Sequence, residues 1–184
     1  HSYINNPANE DIFININGSL FHRKNAKISV FDSGFLLGDG VWEGIRLHSS
    51  KLVFIEDHID RLFASAQGIS LDIPFSRSEI IGEINKVITK NKMDDDVHIR
   101  LIVSRGEKIT PYQSPNANVG PINFVIIPEF KKTNPSTYTN GIWRYKTIIT
   151  LALMHMLYKS HAMVYMSVTI TTHCPPPLMD PHCY

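Results

Sequence analysis

The stretch ISVFDSGFLLGDGVWEGIRLHSSKLVFIEDHIDRL, residues 28–62, decides the fold of this chain. It opens with an apolar run at residues 28–31, which predicts a short strand. Glycines then stand at positions 34, 38, 40 and 44, and this density indicates backbone that turns tightly or approaches another group closely. From Glu56 the apolar residues repeat with a helical period, which predicts an amphipathic helix that carries Arg61.

Regular patterns on both sides of this stretch predict an α+β domain. The Asn17-Gly18 pair predicts a hairpin after a strand that begins at Phe13. Ser76 and Glu79 have the spacing of a capping box, which predicts a second helix after the one that begins near Glu56. Apolar runs predict further strands at 41–47, 52–55, 97–105 and 123–127. We therefore expect a mixed or antiparallel sheet backed by two helices.

The composition is typical of a soluble globular protein, with 43% hydrophobic and 19% charged residues among 184. The formal net charge of +1 gives no electrostatic reason to expect binding to nucleic acid or to an anionic membrane. We find no apolar run approaching the roughly 18 residues of a membrane helix and no apolar core of a signal peptide, and therefore expect a cytoplasmic protein. The acidic triplet at residues 94–96 is interpreted as a solvated turn, and no metal site is predicted.

The last quarter of the chain differs in composition from the rest. Residues 141–184 contain one acidic residue, Asp180, together with five of the six methionines and both cysteines. We therefore expect this part to be truncated, misread or translated in a shifted frame. An unusual hydrophobic segment that packs on a partner is the alternative.

Seven short motifs occur in the order found in one enzyme family. The chain closely resembles the class IV, or fold-type IV, pyridoxal-phosphate aminotransferases, and in particular the branched-chain enzymes. The motifs are NG at 17–18, AKIS at 26–29, DSGF at 32–35, GDG at 38–40, EGIR at 43–46, HIDRL at 58–62 and SA at 65–66. The resemblance implies an N-terminal domain at 1–128, a linker at 129–137 and a partial C-terminal cofactor domain at 138–184.

The resemblance also implies pyridoxal 5'-phosphate as the cofactor, which needs a lysine for a covalent imine, a phosphate site and a partner for its ring nitrogen. Arg61 matches the family's phosphate-binding arginine, and a guanidinium suits phosphate because it binds two oxygens at once. The alternative for Arg61 is a surface arginine. Lys159 is the candidate catalytic and cofactor-binding lysine, with Lys146 as its rival. The family's glutamate beyond this lysine is missing, because no glutamate follows Glu129.

The substrate site is expected in the glycine-rich loop and on the strand at 97–105. Leu37 and Trp42, near Gly38, occupy positions that hold aromatic pocket residues in branched-chain enzymes. His98 and Arg100 fall on one face of the predicted strand, where an arginine would pair with the substrate carboxylate. Exposure at a strand edge is the alternative for these two residues, as is a satisfied core histidine for His98.

The expected reaction is transamination between an amino acid, with a branched-chain donor as first choice, and a 2-oxo acid. Aminodeoxychorismate lyase, D-amino-acid transaminase and (R)-amine transaminase activities are alternatives within the same family. The family resemblance also implies a homodimer. The non-enzymatic alternative is a catalytically inactive, truncated module for dimerisation or binding.

Overall fold

The computed structural model describes residues 6–132. Its helices are α1 (Ser33–Leu37), α2 (Ile55–Gly68) and α3 (Arg77–Lys90), and its strands are β1 (Phe13–Ile16), β2 (Ser19–His22), β3 (Gly40–His48), β4 (Lys51–Val53), β5 (Val97–Ser104) and β6 (Asn123–Phe130). The strands form one sheet in the order β2-β1-β6-β5-β3-β4, and every recorded pairing is antiparallel. The expected α+β class is confirmed. Among the described residues, no helix has both the length and the apolar character needed to cross a membrane.

The two long helices pack on one face of the sheet. Helix α2 packs on β3, and α3 packs on β1 and β6. Apolar side chains meet between these layers because residues three or four apart share a helix face and alternate residues share a strand face. Fully or nearly fully buried members are Ile59, Leu62 and Ala66 of α2, Ile80, Ile84 and Val87 of α3, and Val97, Ile99, Leu101 and Val103 of β5.

Two local predictions are confirmed in atomic detail. Asn17 and Gly18 both have positive φ, at 53° and 82°, as a two-residue turn between antiparallel strands requires. At the start of α3 the Ser76 side chain accepts from the backbone N–H of Glu79, and the Glu79 carboxylate accepts from the backbone N–H of Ser76. Two backbone N–H groups at this helix end are thereby satisfied.

The strand predicted at residues 28–31 is wrong. This segment forms a turn, in which the backbone N–H of Asp32 donates to the carbonyl of Ser29, and the side chains of Val30 and Phe31 are 64% and 41% exposed. Its apolar residues gave the pattern of a strand, but within residues 6–132 no strand pairs with them.

Strand β6 is longer than predicted, because it continues through Pro128 to Phe130, paired with β5. The predicted domain boundary after residue 128 falls within β6, and the one after residue 137 lies outside the described residues; both remain predictions.

Candidate functional site

The glycine-rich loop before β3 is held by Asp32, whose side chain is buried. One carboxylate oxygen accepts from the backbone N–H of Phe35 at 3.1 Å and so caps α1. The other accepts from the hydroxyl of Ser104 at 2.5 Å and the amide of Asn123 at 2.7 Å. Helix α1 ends at Gly38, whose φ of 70° is easily reached only by glycine. Asp32 therefore joins α1 to the ends of β5 and β6.

The same loop is tied to the end of α2 by Arg105. Its Nε and Nη2 donate to the two carboxylate oxygens of Asp39 at 2.8 and 3.1 Å. Its Nη1 and Nη2 also donate to the carbonyls of Ser70 and Ile69, at 2.8 and 2.7 Å. One guanidinium thus satisfies carbonyls beyond α2 and fixes the residue that enters β3.

A buried carboxylate on β3 binds two residues of α2. Glu43 is 4% exposed, and its two oxygens accept from Nε and Nη2 of Arg61 at 2.7 and 2.6 Å. Nδ1 of His58 lies 2.8 Å from the oxygen that binds Nη2. The Arg61 side chain is 63% exposed, so its outer end faces solvent while its inner edge is fixed.

The charges in this cluster are stabilised by one another. Burial raises the pKa of the Glu43 carboxyl, but hydrogen bonds from His58 and Arg61 outweigh burial and hold that pKa below its ordinary value. The hydrogen bond to Glu43 likewise raises the pKa of Arg61. Because an ionised carboxylate only accepts hydrogen bonds, Nδ1 of His58 carries the proton in its contact with Glu43.

The opposite face of β3 carries the predicted substrate residues. The guanidinium of Arg100 on β5 lies over the ring of Trp42, with Cζ 4.0 Å from the ring centroid. His98 lies beside Gly44, and a Cβ added at Gly44 would stand 3.0 Å from Nε2 of His98. The missing side chain at Gly44 therefore makes the room that the imidazole occupies.

His98 lies in a region of positive charge. Burial lowers the pKa of its imidazole, and the cations Lys131, Arg100 and Arg46 lower it further, with Glu129 acting in the opposite direction. His98 is therefore a neutral imidazole at neutral pH, next to cationic groups that attract anions.

The structure groups the predicted site residues unevenly. Trp42, His98 and Arg100 come together on one face of the sheet, whereas Arg61 is bound to Glu43 on the other. Leu37 and Gly38 lie at the end of α1, immediately before β3.

Strand β4 pairs only with residues 46–48, so in the described part of the chain the first half of β3 has a strand neighbour on one side only. The Trp42 and Glu43 sides of the sheet meet at this open edge.

Lys159 and Lys146 lie outside the described residues. No group of three or more His, Cys, Asp or Glu residues between 6 and 132 is arranged to hold a metal ion.

Glu43 was not predicted as a site residue, although the sequence carries a signal for it. Strand alternation places Glu43 on the same face as Val41 and Ile45, which point into the core. A carboxylate at an inward position needs a partner, because an unpaired buried charge is strongly unfavourable. Arg61 and His58, one helical turn apart on α2, supply that partner.

Comparison with known proteins identifies the family. A sequence profile described as Amino-transferase class IV matches residues 40–160, more than half of the chain. The chain is 37% identical over 134 residues to branched-chain-amino-acid aminotransferase-like protein 1 of Arabidopsis thaliana, a match that covers 73% of this chain and 24% of that protein. It is 36% identical over 109 residues to D-alanine aminotransferase of Listeria monocytogenes, covering 59% of this chain and 36% of the relative. The chain therefore spans only about a quarter to a third of the length of these relatives.

Solved structures show the same fold. The branched-chain aminotransferase of the archaeon Thermoproteus uzoniensis, determined with norvaline, superposes with a TM-score of 0.55 and 24% identity, over 65% of this chain and 40% of that one. The 4-amino-4-deoxychorismate lyase of Pseudomonas aeruginosa superposes with a TM-score of 0.52 and 22% identity, over 67% and 42%. Another branched-chain aminotransferase of the same fold is complexed with N-(5'-phosphopyridoxyl)-L-glutamate, a derivative of the cofactor. The family predicted from the short motifs is confirmed, and the chain belongs to the class IV aminotransferases, which depend on pyridoxal phosphate.

Proposed function

We propose that the protein to which this chain belongs transfers an amino group between an apolar, branched-chain amino acid and a 2-oxo acid, using pyridoxal 5'-phosphate. The observation that carries the proposal is the Arg61 guanidinium, fixed on its inner edge by Glu43 and open to solvent at its outer end. A fixed guanidinium with free N–H groups is a site for a phosphate, since its planar fork matches two phosphate oxygens.

The residues present fit the phosphate group of the cofactor. Within residues 6–132 the recorded hydrogen bonds of Arg61 use Nε and Nη2, and none uses Nη1. Nη1 therefore has two N–H donors available for an anion. When bound, the cofactor supplies an electron sink for the negative charge that develops at the substrate Cα. Arg61 is the residue of this chain that would hold the cofactor, through its phosphate group.

The substrate site is proposed along the Trp42 side of the sheet. Arg100, held against the ring of Trp42, would receive the substrate carboxylate in a two-point hydrogen-bonded pair. Trp42 is 46% exposed and with Leu37 offers apolar surface to an aliphatic side chain. Gly38 allows the backbone to approach the substrate closely. Neutral His98 accepts or donates a hydrogen bond there without adding a charge.

Lys159 is proposed as the residue that binds the cofactor covalently and moves the proton at the substrate Cα. A lysine performs this role when burial or nearby cations lower its pKa enough to leave a free amine. Lys146 is the alternative. Both residues lie beyond the described range, so this assignment comes from the family resemblance alone.

The absorption spectrum of the purified chain with added pyridoxal phosphate tests the proposal. We expect a visible band that is lost on borohydride reduction, with the pyridoxyl group fixed to Lys159 in the peptide map. Fixation at Lys146 would move the catalytic assignment to that residue. No band at all would contradict the proposed function for this chain and would favour the inactive binding module.

D-alanine is the second candidate donor, because a D-alanine aminotransferase is 36% identical over 109 residues. Assays of L-leucine and D-alanine with 2-oxoglutarate separate the two candidates. Preference for L-leucine supports the branched-chain assignment, and preference for D-alanine overturns it.

A homodimer and a cytoplasmic location are part of the same proposal. Support for self-association comes from exposed apolar side chains on α1 and on two neighbouring loops. Val30 in the loop before α1 is 64% exposed, Phe35 on α1 is 69% exposed, and Ile109 in the loop after β5 is 72% exposed. Lys108, next to Ile109, donates its backbone N–H to the carbonyl of Phe31 and so holds these loops together. Light scattering of the purified protein distinguishes a dimer from a monomer.

A further inference from the structure

We propose that Glu43 is a positioning residue that sets the Arg61 guanidinium in the orientation needed to bind the cofactor phosphate. The proposal rests on the proposed function and adds a residue to its phosphate site. Glu43 would not touch the phosphate itself; it would act through Arg61.

The geometry of the pair supports this role. Both oxygens of Glu43 are used by Arg61, at 2.7 Å from Nε and 2.6 Å from Nη2, so the guanidinium plane is fixed at two points. Glu43 itself belongs to a nine-residue strand and is 4% exposed, which makes it a rigid support. An arginine at an exposed helix position otherwise samples many rotamers, and fixing it in advance removes part of the entropy that phosphate binding would have to overcome.

His58 completes the support from the same helix. Its Nδ1 lies 2.8 Å from the Glu43 oxygen that also binds Nη2 of Arg61. The imidazole therefore holds the carboxylate from a second direction and limits its rotation. The Glu43 carboxylate receives three hydrogen bonds, and its position is set by both β3 and α2.

If Glu43 acted through its charge alone, it would weaken phosphate binding. A negative group beside a phosphate site repels the phosphate, so removal of the charge should tighten phosphate binding. If Glu43 acts by positioning Arg61, its removal should weaken phosphate binding instead. The sign of the change therefore decides between the two explanations.

The test compares the dissociation constants of pyridoxal 5'-phosphate and of pyridoxal, which lacks the phosphate, by titration of the full chain. In the unmodified protein the phosphorylated compound should bind more tightly. In Glu43→Gln this preference should fall by about tenfold, as expected for the loss of a charge-assisted hydrogen bond, while pyridoxal affinity stays the same. Glu43→Asp keeps the charge but withdraws the carboxylate from the two-point contact, so it should also reduce the preference.

Asp60→Asn is the matched control, because Asp60 precedes Arg61 on α2 and pairs with Arg77. It removes one negative charge near Arg61 without changing the Glu43 contact, and the preference should stay equal or rise slightly. Arg61→Ala should abolish the preference, and adding Glu43→Gln to it should change nothing more. Circular dichroism and thermal melting confirm that each variant is folded.

The outcomes separate this inference from the proposed function. If the unmodified protein does not prefer the phosphorylated compound, or if Arg61→Ala keeps the preference, the phosphate site itself is overturned. If Arg61→Ala loses the preference while both Glu43 variants retain it or increase it, only the positioning role of Glu43 is overturned.

Discussion

Replacement of Asp32 by alanine should destabilise the protein strongly, because Asp32 is 1% exposed and satisfies three donors. The backbone N–H of Phe35 loses its helix cap, which costs about 1 kcal/mol. The Ser104 hydroxyl and the Asn123 amide lose a charged acceptor, at about 1 kcal/mol or more each. The expected loss in the free energy of unfolding is therefore about 3 kcal/mol or more.

Thermal unfolding followed by circular dichroism measures this loss. For a chain of this size, about 3 kcal/mol corresponds to a decrease of about 6–12 °C in the melting temperature. Asp32→Asn should fall between Asp32→Ala and the unmodified protein, since asparagine keeps an acceptor oxygen but turns a donor towards the network. Asp94→Ala removes an exposed carboxylate and serves as the control. A decrease for Asp32→Ala no larger than that for Asp94→Ala would refute the idea that Asp32 holds this loop.

Two further variants test other parts of the structure. Lys92, just after α3, has a φ of 53°, so Lys92→Gly should raise the free energy of unfolding by about 0.5–1 kcal/mol. Lys90→Gly, at the last residue of α3, should lower it, because glycine is unfavourable in a helix. Destabilisation by Lys92→Gly in urea unfolding would contradict the left-handed conformation of Lys92. Burial and nearby cations lower the pKa of His98 in the folded protein, so as the pH drops below about 6.5 the unfolded chain binds the proton first and the free energy of unfolding decreases. Melting curves of His98→Gln should therefore show a smaller loss of stability between pH 7.5 and pH 5 than those of the unmodified protein. Equal losses in the two proteins would count against a buried neutral imidazole.

The fold was predicted well where local chemistry decides the structure. The Asn17-Gly18 turn and the Ser76 capping box each depend on residues within four positions, and both formed as expected. The segment at 28–31 shows the limit of this reasoning, since hydrophobicity alone does not reveal whether a strand has a neighbour to pair with. The same limit applies to the last described strand, which was predicted to stop at residue 127 but continues with Pro128 paired to Ile99.

The candidate site was predicted in part. The resemblance pointed to Arg61, Trp42 and Arg100, and the structure brings the last two together. The resemblance did not indicate that Arg61 and His58 bind the same buried carboxylate, Glu43, because that contact joins a strand to a helix through side chains. Periodicity places a residue on a face but does not select its partner, which depends on how α2 lies across β3.

The strand order makes the sheet depend on its last described strand. Strand β1 has two neighbours, β2 and β6, and the Asn9 side chain bonds the backbone of Phe130 across 121 positions of sequence. During synthesis the first hairpin must therefore wait for β6 before it can join the other strands. Such distant pairings make folding slow, because the chain loses the entropy of closing a long loop before the stabilising contacts form. Once this loop has closed, β6 holds the first residues of the described chain in place through its pairing with β1 and its contacts with Asn9.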